Sequence, residues 1–277
     1  MIPATFDYER AESVEQAVEL LSADEDAKLL AGGHSLLPLM KLRLARPSKL
    51  VDIGRLVDLS YVREDGDRIA IGALTRHHDV HHSPVLDEHC ALVSYTAGLI
   101  GDPQVRHMGT IGGSVAHGDP ASDMPTVLLA LDAEVVAQGP DGSRTIPASE
   151  FFTGLFETAL HPSELLTEIR VPKLAGAGWS YQKFHRRAQD WAIVGVAAVT
   201  RNGDAAVAFT NMGEKPLRAS AVEQALGGGA DPGSAAQLAA EGTNPPSDTF
   251  ASAEYRQALA EVLVRRALEE ARGRAGG

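Results

Sequence analysis

The sequence predicts an α+β protein that ends in a small antiparallel sheet backed by a last helix. Three observations predict it. A capped amphipathic helix near the N-terminus is followed by a strand, a glycine turn and a second helix; short β-rich runs punctuated by Gly and Pro fill the middle; and the last third alternates in strands around Asn202-Gly203 before one amphipathic helix.

In order, Ser13-Val14-Glu15-Gln16 reads as a capping box, and Val14, Ala17, Val18 and Leu21 then recur on one helical face. Lys28 to Ala31 reads as a strand, Gly32-Gly33 breaks it, and residues 35–44 form a helix with Pro38 in its first turn. Residues 51–54 and 68–72 are short strands, and Thr75 caps a helix through the histidine-rich segment. Residues 101–123, rich in Gly, Pro, Asp, Ser and His, read as a long irregular stretch of the kind compact domains keep for binding. Strands follow at 133–137 and 165–171, with a Pro140-Asp141-Gly142 turn after the first and Pro172 closing the second. Residues 173–178 read as a linker. Residues 180–185, 193–200 and 205–210 are strands, and Tyr255, Ala258, Leu259, Val262 and Leu263 form the apolar stripe of a final helix laid on that sheet.

The chain has 277 residues, 44% hydrophobic and 22% charged, enough for a full core and unlike a disordered or fibrous chain. Its 37 acidic against 25 basic residues give a net charge of −12, which opposes attraction to nucleic-acid phosphates or anionic lipid. The uncharged run Trp191 to Val199 is less than half of the roughly 20 residues a membrane helix needs, and no signal-peptide pattern opens the sequence. A cytoplasmic location is expected. One cysteine, Cys90, can neither close an internal disulfide nor ligate an iron–sulfur cluster, and its apolar neighbours make it a core residue.

Two glycine-rich segments carry the chemistry: Leu30-Ala31-Gly32-Gly33-His34-Ser35 and Gly109-Thr110-Ile111-Gly112-Gly113-Ser114. Glycine lets backbone N–H groups approach a phosphate closely, and two such loops suit a diphosphate. Either pair alone serves equally well as a plain tight turn, and neither matches G-x-G-x-x-G or the Gly-Lys-Ser/Thr phosphate loop. His77, His78, His81, His82 and His89 include i, i+4 pairs, yet no third ligand completes a zinc site, and a solvated face is expected.

The segments Ala31 to Lys41, with Leu36 inside the first, and Thr110 to Ser114 together resemble the two flavin-binding signatures of one family, the FAD-binding medium subunit of aerobic carbon monoxide dehydrogenase and related molybdenum hydroxylases such as xanthine dehydrogenase. The resemblance continues through Ala116 to Asp123 and Tyr181 to Arg187 and spans essentially the whole chain. It implies a two-subdomain FAD-binding fold of the vanillyl-alcohol oxidase type, divided at 1–54 and 55–172, with a C-terminal α+β domain over 179–277. It implies that Gly32, Gly33, His34, Ser35, Thr110, Gly112, Gly113 and Ser114 hold the diphosphate and its flanks, largely through backbone donors. Asp123 would accept from cofactor hydroxyls, Lys183 and Tyr181 would lie near the flavin end, and Asp190 would stand beside the isoalloxazine. Leu30, Ala31, Leu36, Ile111, Asp119 and Leu166 complete the implied cofactor set. Without the resemblance, His34 and Ser35 would be helix caps, Asp123 a loop carboxylate and Lys183 a solvated strand residue.

The function implied is electron transfer by non-covalent FAD, between [2Fe–2S] clusters on a small partner, fed by a molybdopterin-bearing large partner, and an external acceptor, in a dimer of heterotrimers. The single cysteine excludes the branch that carries an extra four-iron cluster on this subunit. No catalytic residue or metal ligand is assigned. The rival readings are a self-contained FAD-dependent dehydrogenase or oxidase and a nucleotide-binding module without redox chemistry. The 191–199 run is either a buried strand or a docking surface for the partners.

Overall fold

The computed structural model describes residues 2–201 and 203–275, so Asn202 of the expected Asn202-Gly203 turn lies outside the described residues. The chain opens with β1 (Asp7–Arg10), α1 (Val14–Ser22), β2 (Lys28–Leu30), α2 (Leu36–Lys41) and β3 (Lys49–Asp52). These strands form a parallel sheet in the order β1-β3-β2. Ser13 Oγ accepts from Gln16 N at 3.2 Å, while Gln16 Oε1 reaches back to Glu12 N at 2.6 Å, so the cap closes one residue earlier than a reciprocal box. The second helix covers only residues 36–41 of the expected 35–44, stopping where Arg43 turns to φ 59°.

The second unit contains β4 (Val62–Asp65), β5 (Arg68–Gly72), α3 (His77–His81), α4 (Pro84–His89), α5 (Ala91–Gly98), α6 (Pro103–Met108), α7 (Ile111–His117), α8 (Asp123–Ala130), β6 (Glu134–Gly139), β7 (Gly142–Pro147), α9 (Ala148–Phe151), β8 (Phe152–Gly154), β9 (Glu157–Thr158) and β10 (Leu165–Pro172). Its five-stranded sheet runs β4-β5-β10-β6-β7. Two expectations are corrected here. Thr75 does not cap a helix; its hydroxyl donates to Tyr61 O at 2.9 Å, and α3 starts without a side-chain cap. Residues 101–123 are not irregular: Asp102 caps α6 with Pro103 in its first turn, and Thr110 caps α7. The glycines that made this stretch read as loop sit at helix ends or inside α7, where tertiary contacts outweigh their low helix propensity.

The third unit has β11 (Gly178–Phe184), β12 (Val194–Arg201), β13 (Asp204–Thr210), β14 (Leu217–Arg218), α10 (Ser220–Gly227), α11 (Pro232–Ala236) and α12 (Ala253–Arg274). Its antiparallel sheet β11-β12-β13-β14 is covered on both faces. Val194, Val196, Ala198, Val207 and Phe209 pack with α12, while Ala197, Val199 and Ala208 join the core that holds Met124, Val127 and Leu128 of α8. Double coverage explains the uninterrupted apolar run of β12, which is a buried strand and not an exposed docking face. The stripe expected of α12 is rotated. Arg256, Ala260, Leu263, Val264, Ala267, Leu268 and Ala271 face the core, whereas Tyr255 and Ala258 are exposed, because buried Arg256 is read by pattern as a surface residue. Cys90 is fully buried, and burial pushes its thiol up to about 12. Among the described residues no helix is long and apolar enough to cross a membrane.

Where α12 crosses the start of β11, a Cβ on Gly178 would overlap the Ala271 carbonyl oxygen and stand 2.9 Å from Ala275 N. Gly178→Ala is expected to destabilise the chain by about 1–3 kcal/mol, the usual cost of overpacking, read as a lower urea midpoint with an unchanged slope.

Candidate functional site

Beyond the C-terminal end of β2, a cleft of about 830 Å³ opens between the first sheet, α3, the α6–α7 connection and β11. Such a position, at the carboxyl end of a strand where a glycine turn leads into a helix, is where open α/β sheets bind ligands. The volume lies within the roughly 300–1,000 Å³ typical of cofactor sites.

The two glycine loops meet at its floor. A Cβ on Gly32 would overlap the Met108 carbonyl oxygen and stand 2.9 Å from Gly109 Cα, so only glycine lets the backbones touch. Gly33 adopts φ 73°, the left-handed region, and turns the chain into α2. Among the described residues the N–H groups of Gly32, Gly33, His34 and Ser35 have no protein acceptor, leaving four adjacent donors for a ligand. The second loop is different. Ile111 N donates to Thr75 O, Gly112 N to Ala73 O, Gly113 N to Thr110 Oγ1 and Ser114 N to Thr110 O, so these donors are already paired. A Cβ on Gly112 would lie 2.6 Å from Ala73 Cβ; this glycine lets α7 pack against the turn that follows β5. The second loop therefore supplies a wall, hydroxyls and the single amide of Thr110, which has no protein acceptor among the described residues, with Ser114 Oγ 2.9 Å from Ser122 Oγ.

Asp123 and Lys183 form a buried ion pair on the cleft wall, with Lys183 Nζ 2.8 Å from Asp123 Oδ2. Lys183 also donates to Leu99 O at 3.0 Å. Tyr181, on the same face of β11, donates to Asp123 Oδ1 at 2.7 Å and lies 3.0 Å from Thr210 Oγ1; burial holds its phenol well above the usual range.

Of the residues assigned from sequence, Leu30, Ala31, Gly32, Gly33, His34, Ser35, Leu36, Thr110, Gly112, Gly113, Ser114, Asp123, Leu166, Lys183 and Asp190 line the cleft. Ile111 lies in the core, Tyr181 stands behind Asp123, and Asp119 is set back from the wall, accepting from Ala121 N at 2.8 Å while burial raises its carboxyl. Asp190 is held below the usual carboxylate range by its hydrogen bonds from Arg187. Three wall residues were not assigned to the cleft from the sequence. Phe156 takes φ 56° in the β8–β9 turn, Trp191 stands at the rim, and His77 is buried at the floor. His77 corrects the expectation of a solvated histidine face. Its Nδ1 has no partner among the described residues, and burial, then the nearby Arg106 charge, pulls its imidazole down to about 4. His78 and His107 stack at 3.9 Å, and no group of three or more His, Cys, Asp or Glu able to hold a metal occurs among the described residues.

Lys183→Met is expected to cost about 3–5 kcal/mol because it strands a buried carboxylate, and adding Asp123→Asn to it should recover part of that loss in urea unfolding of the apoprotein. His77 has a folded pKa below its unfolded value, so its contribution is full above about pH 6.5 and is lost as pH falls toward 4. The parent should therefore lose on the order of 3 kcal/mol more than His77→Gln between those pH values, measured by denaturation at each pH.

The matches to known proteins agree with this architecture. Residues 4–174 match the model for the FAD binding domain in molybdopterin dehydrogenase, and residues 179–271 match the CO dehydrogenase flavoprotein C-terminal domain. The chain is 44% identical to the carbon monoxide dehydrogenase medium chain of Hydrogenophaga pseudoflava, over 98% of both chains. It is 40% identical to the glyceraldehyde dehydrogenase medium chain of Sulfolobus acidocaldarius, over 98% of this chain and 99% of that one. A solved structure of carbon monoxide dehydrogenase from Hydrogenophaga pseudoflava, lacking the Mo-pyranopterin moiety of its cofactor, superposes with a TM-score of 0.96 at 45% identity over 99% of each chain. With both domains matched in order along nearly the full length, the chain belongs to the carbon monoxide dehydrogenase medium-chain family of molybdenum hydroxylases, as an oxidoreductase subunit with an FAD-binding domain.

Proposed function

We propose that this chain is the electron-transferring flavoprotein subunit of a molybdenum hydroxylase complex, taking electrons from [2Fe–2S] clusters on a small partner and passing them to an external acceptor. The large partner would carry molybdopterin and oxidise the substrate, in a cytoplasmic dimer of heterotrimers. FAD, held non-covalently, would supply the conversion between one-electron and two-electron transfer. The observation that carries the reading is the row of four N–H groups at Gly32 to Ser35 that have no protein acceptor among the described residues, set where the two glycine loops touch.

The residues fit the cofactor in kind. Four adjacent backbone donors suit a diphosphate, and since α2 and α7 have only 6 and 7 residues, loop amides would do this work without a long helix dipole. Ser114 and Thr110 add hydroxyl partners beside the diphosphate. Asp123, fixed by Lys183 and Tyr181, keeps lone pairs free for the hydroxyls of the connecting chain. Leu166 gives an apolar wall, while Asp190 and Trp191 stand at the rim, where a carboxylate would disfavour extra negative charge on a reduced ring. Residues 1–54, 55–172 and 179–277, joined by 173–178, are proposed as the two FAD-binding subdomains and the C-terminal domain. Relatives of nearly equal identity are named for different substrates, carbon monoxide and glyceraldehyde.

Titration of the apoprotein with FAD, followed by flavin absorbance and fluorescence, should give one-to-one binding. Gly32→Ala should weaken it at least about tenfold, because a methyl group there forces the loops apart. A chain that takes up no FAD either alone or co-expressed with its partners would overturn the reading, and turnover of substrate by the isolated chain would favour the self-contained dehydrogenase instead.

A further inference from the structure

Between β11 and β12 the chain leaves the sheet through residues 185–192, and this rim segment brings Gln189, Asp190 and Trp191 to the cleft. Inside the segment, the side-chain ties are those between Arg187 and Asp190, with Arg187 Nε 3.0 Å from Asp190 Oδ2. Its far end is fastened from elsewhere. The Ala192 carbonyl accepts from Asn211 Nδ2 at 2.9 Å, and the Ile193 carbonyl accepts from the buried Arg256 guanidinium, itself held by Asp248 Oδ2 at 2.6 Å.

Asn211 has a second partner. It sits in the left-handed region at φ 62°, and its own N–H donates to Pro120 O at 2.8 Å. Pro120 belongs to the short connection that ends at Asp123, the carboxylate of the cleft wall. One residue outside the cleft lining thus grips both the segment carrying Asp190 and the segment carrying Asp123. Asparagine is suited to both tasks, since it tolerates positive φ and carries an amide donor on a short arm.

We propose that Asn211 is a positioning residue that sets where Asp190 and Trp191 stand over the cleft, by tying the rim segment 185–192 to the connection that carries Asp123. The consequence for the flavin rests on the reading of the cleft given above; the tie itself does not. A carboxylate acts on a nearby ring in inverse proportion to distance, so a rim segment free to shift would alter the electrostatic environment of the ring without removing any binding residue.

Asn211→Gly isolates the side-chain bond, because glycine keeps the left-handed backbone and the N–H donation to Pro120. The exposed Arg186 and Arg187 make the rim segment a trypsin target in the full-length chain. Cleavage there should accelerate about fivefold in Asn211→Gly, the factor expected from losing one hydrogen bond, while thermal unfolding remains cooperative. In FAD-loaded protein the substitution should shift the flavin midpoint potential, and the shift should vanish in the Asp190→Asn background. Unchanged cleavage, or an equal shift with and without the Asp190 carboxylate, would overturn the proposal. If the parent binds no FAD, the reading of the cleft fails, and the cleavage rates alone decide whether Asn211 ties the segment.

Discussion

The buried carboxylate of Asp123 ties the two halves of this molecule together at the cleft wall. It opens α8 in the N-terminal half, and both its oxygens are met from β11 in the C-terminal domain, by Lys183 and Tyr181. Apolar packing between α8 and the sheet brings the two halves together but has no direction of its own. The ion pair supplies direction. With Thr210 and Thr126 hydrogen-bonded beside it at 2.8 Å, it forms a polar seam inside an apolar core, where a shift in register would leave charges unpaired. The cleft wall inherits its geometry from that seam.

Glycine performs two separate tasks around the cleft. At Gly33 a positive φ turns the chain after β2 into α2. At Gly32 and Gly112 the backbone angle is ordinary and the absent Cβ is what matters, since neighbouring main chain occupies its place. Among the described residues the first loop leaves four adjacent amides without a protein acceptor while most of the second loop's amides are paired, so two motifs that look alike in sequence differ in the donors they offer.

Much of the fold was legible in the sequence where local signals and tertiary environment agree. The cap at Ser13, the glycine turn after β2 and the strands of the last sheet are examples. Polar edge strands such as β1 and β4 were not, because their burial is too slight to imprint alternation. The helices α6 and α7 were hidden by a run of glycines, several of which line the cleft, and by proline, although Asp102-Pro103 and Thr110 carried start signals in plain view. For the cleft, the glycine motifs and the separate positions of Asp123 and Lys183 were accessible through family resemblance, whereas the ion pair between those two was not. The buried state of His77 and the rim position of Trp191 were not, since each depends on contacts between residues distant in sequence.

The covering of the last sheet on both faces bears on how such subunits diverge. Alternate residues of β12 answer to α12 on one side and to α8 on the other, so neighbouring positions in the strand belong to different cores. A C-terminal domain transplanted from a relative would have to bring only half of each strand's side chains in a compatible form, those facing α8 together with Tyr181 and Lys183. Shuffling of domains between subunits is thereby confined to pairs that share that one face, while the face under α12 is free to drift.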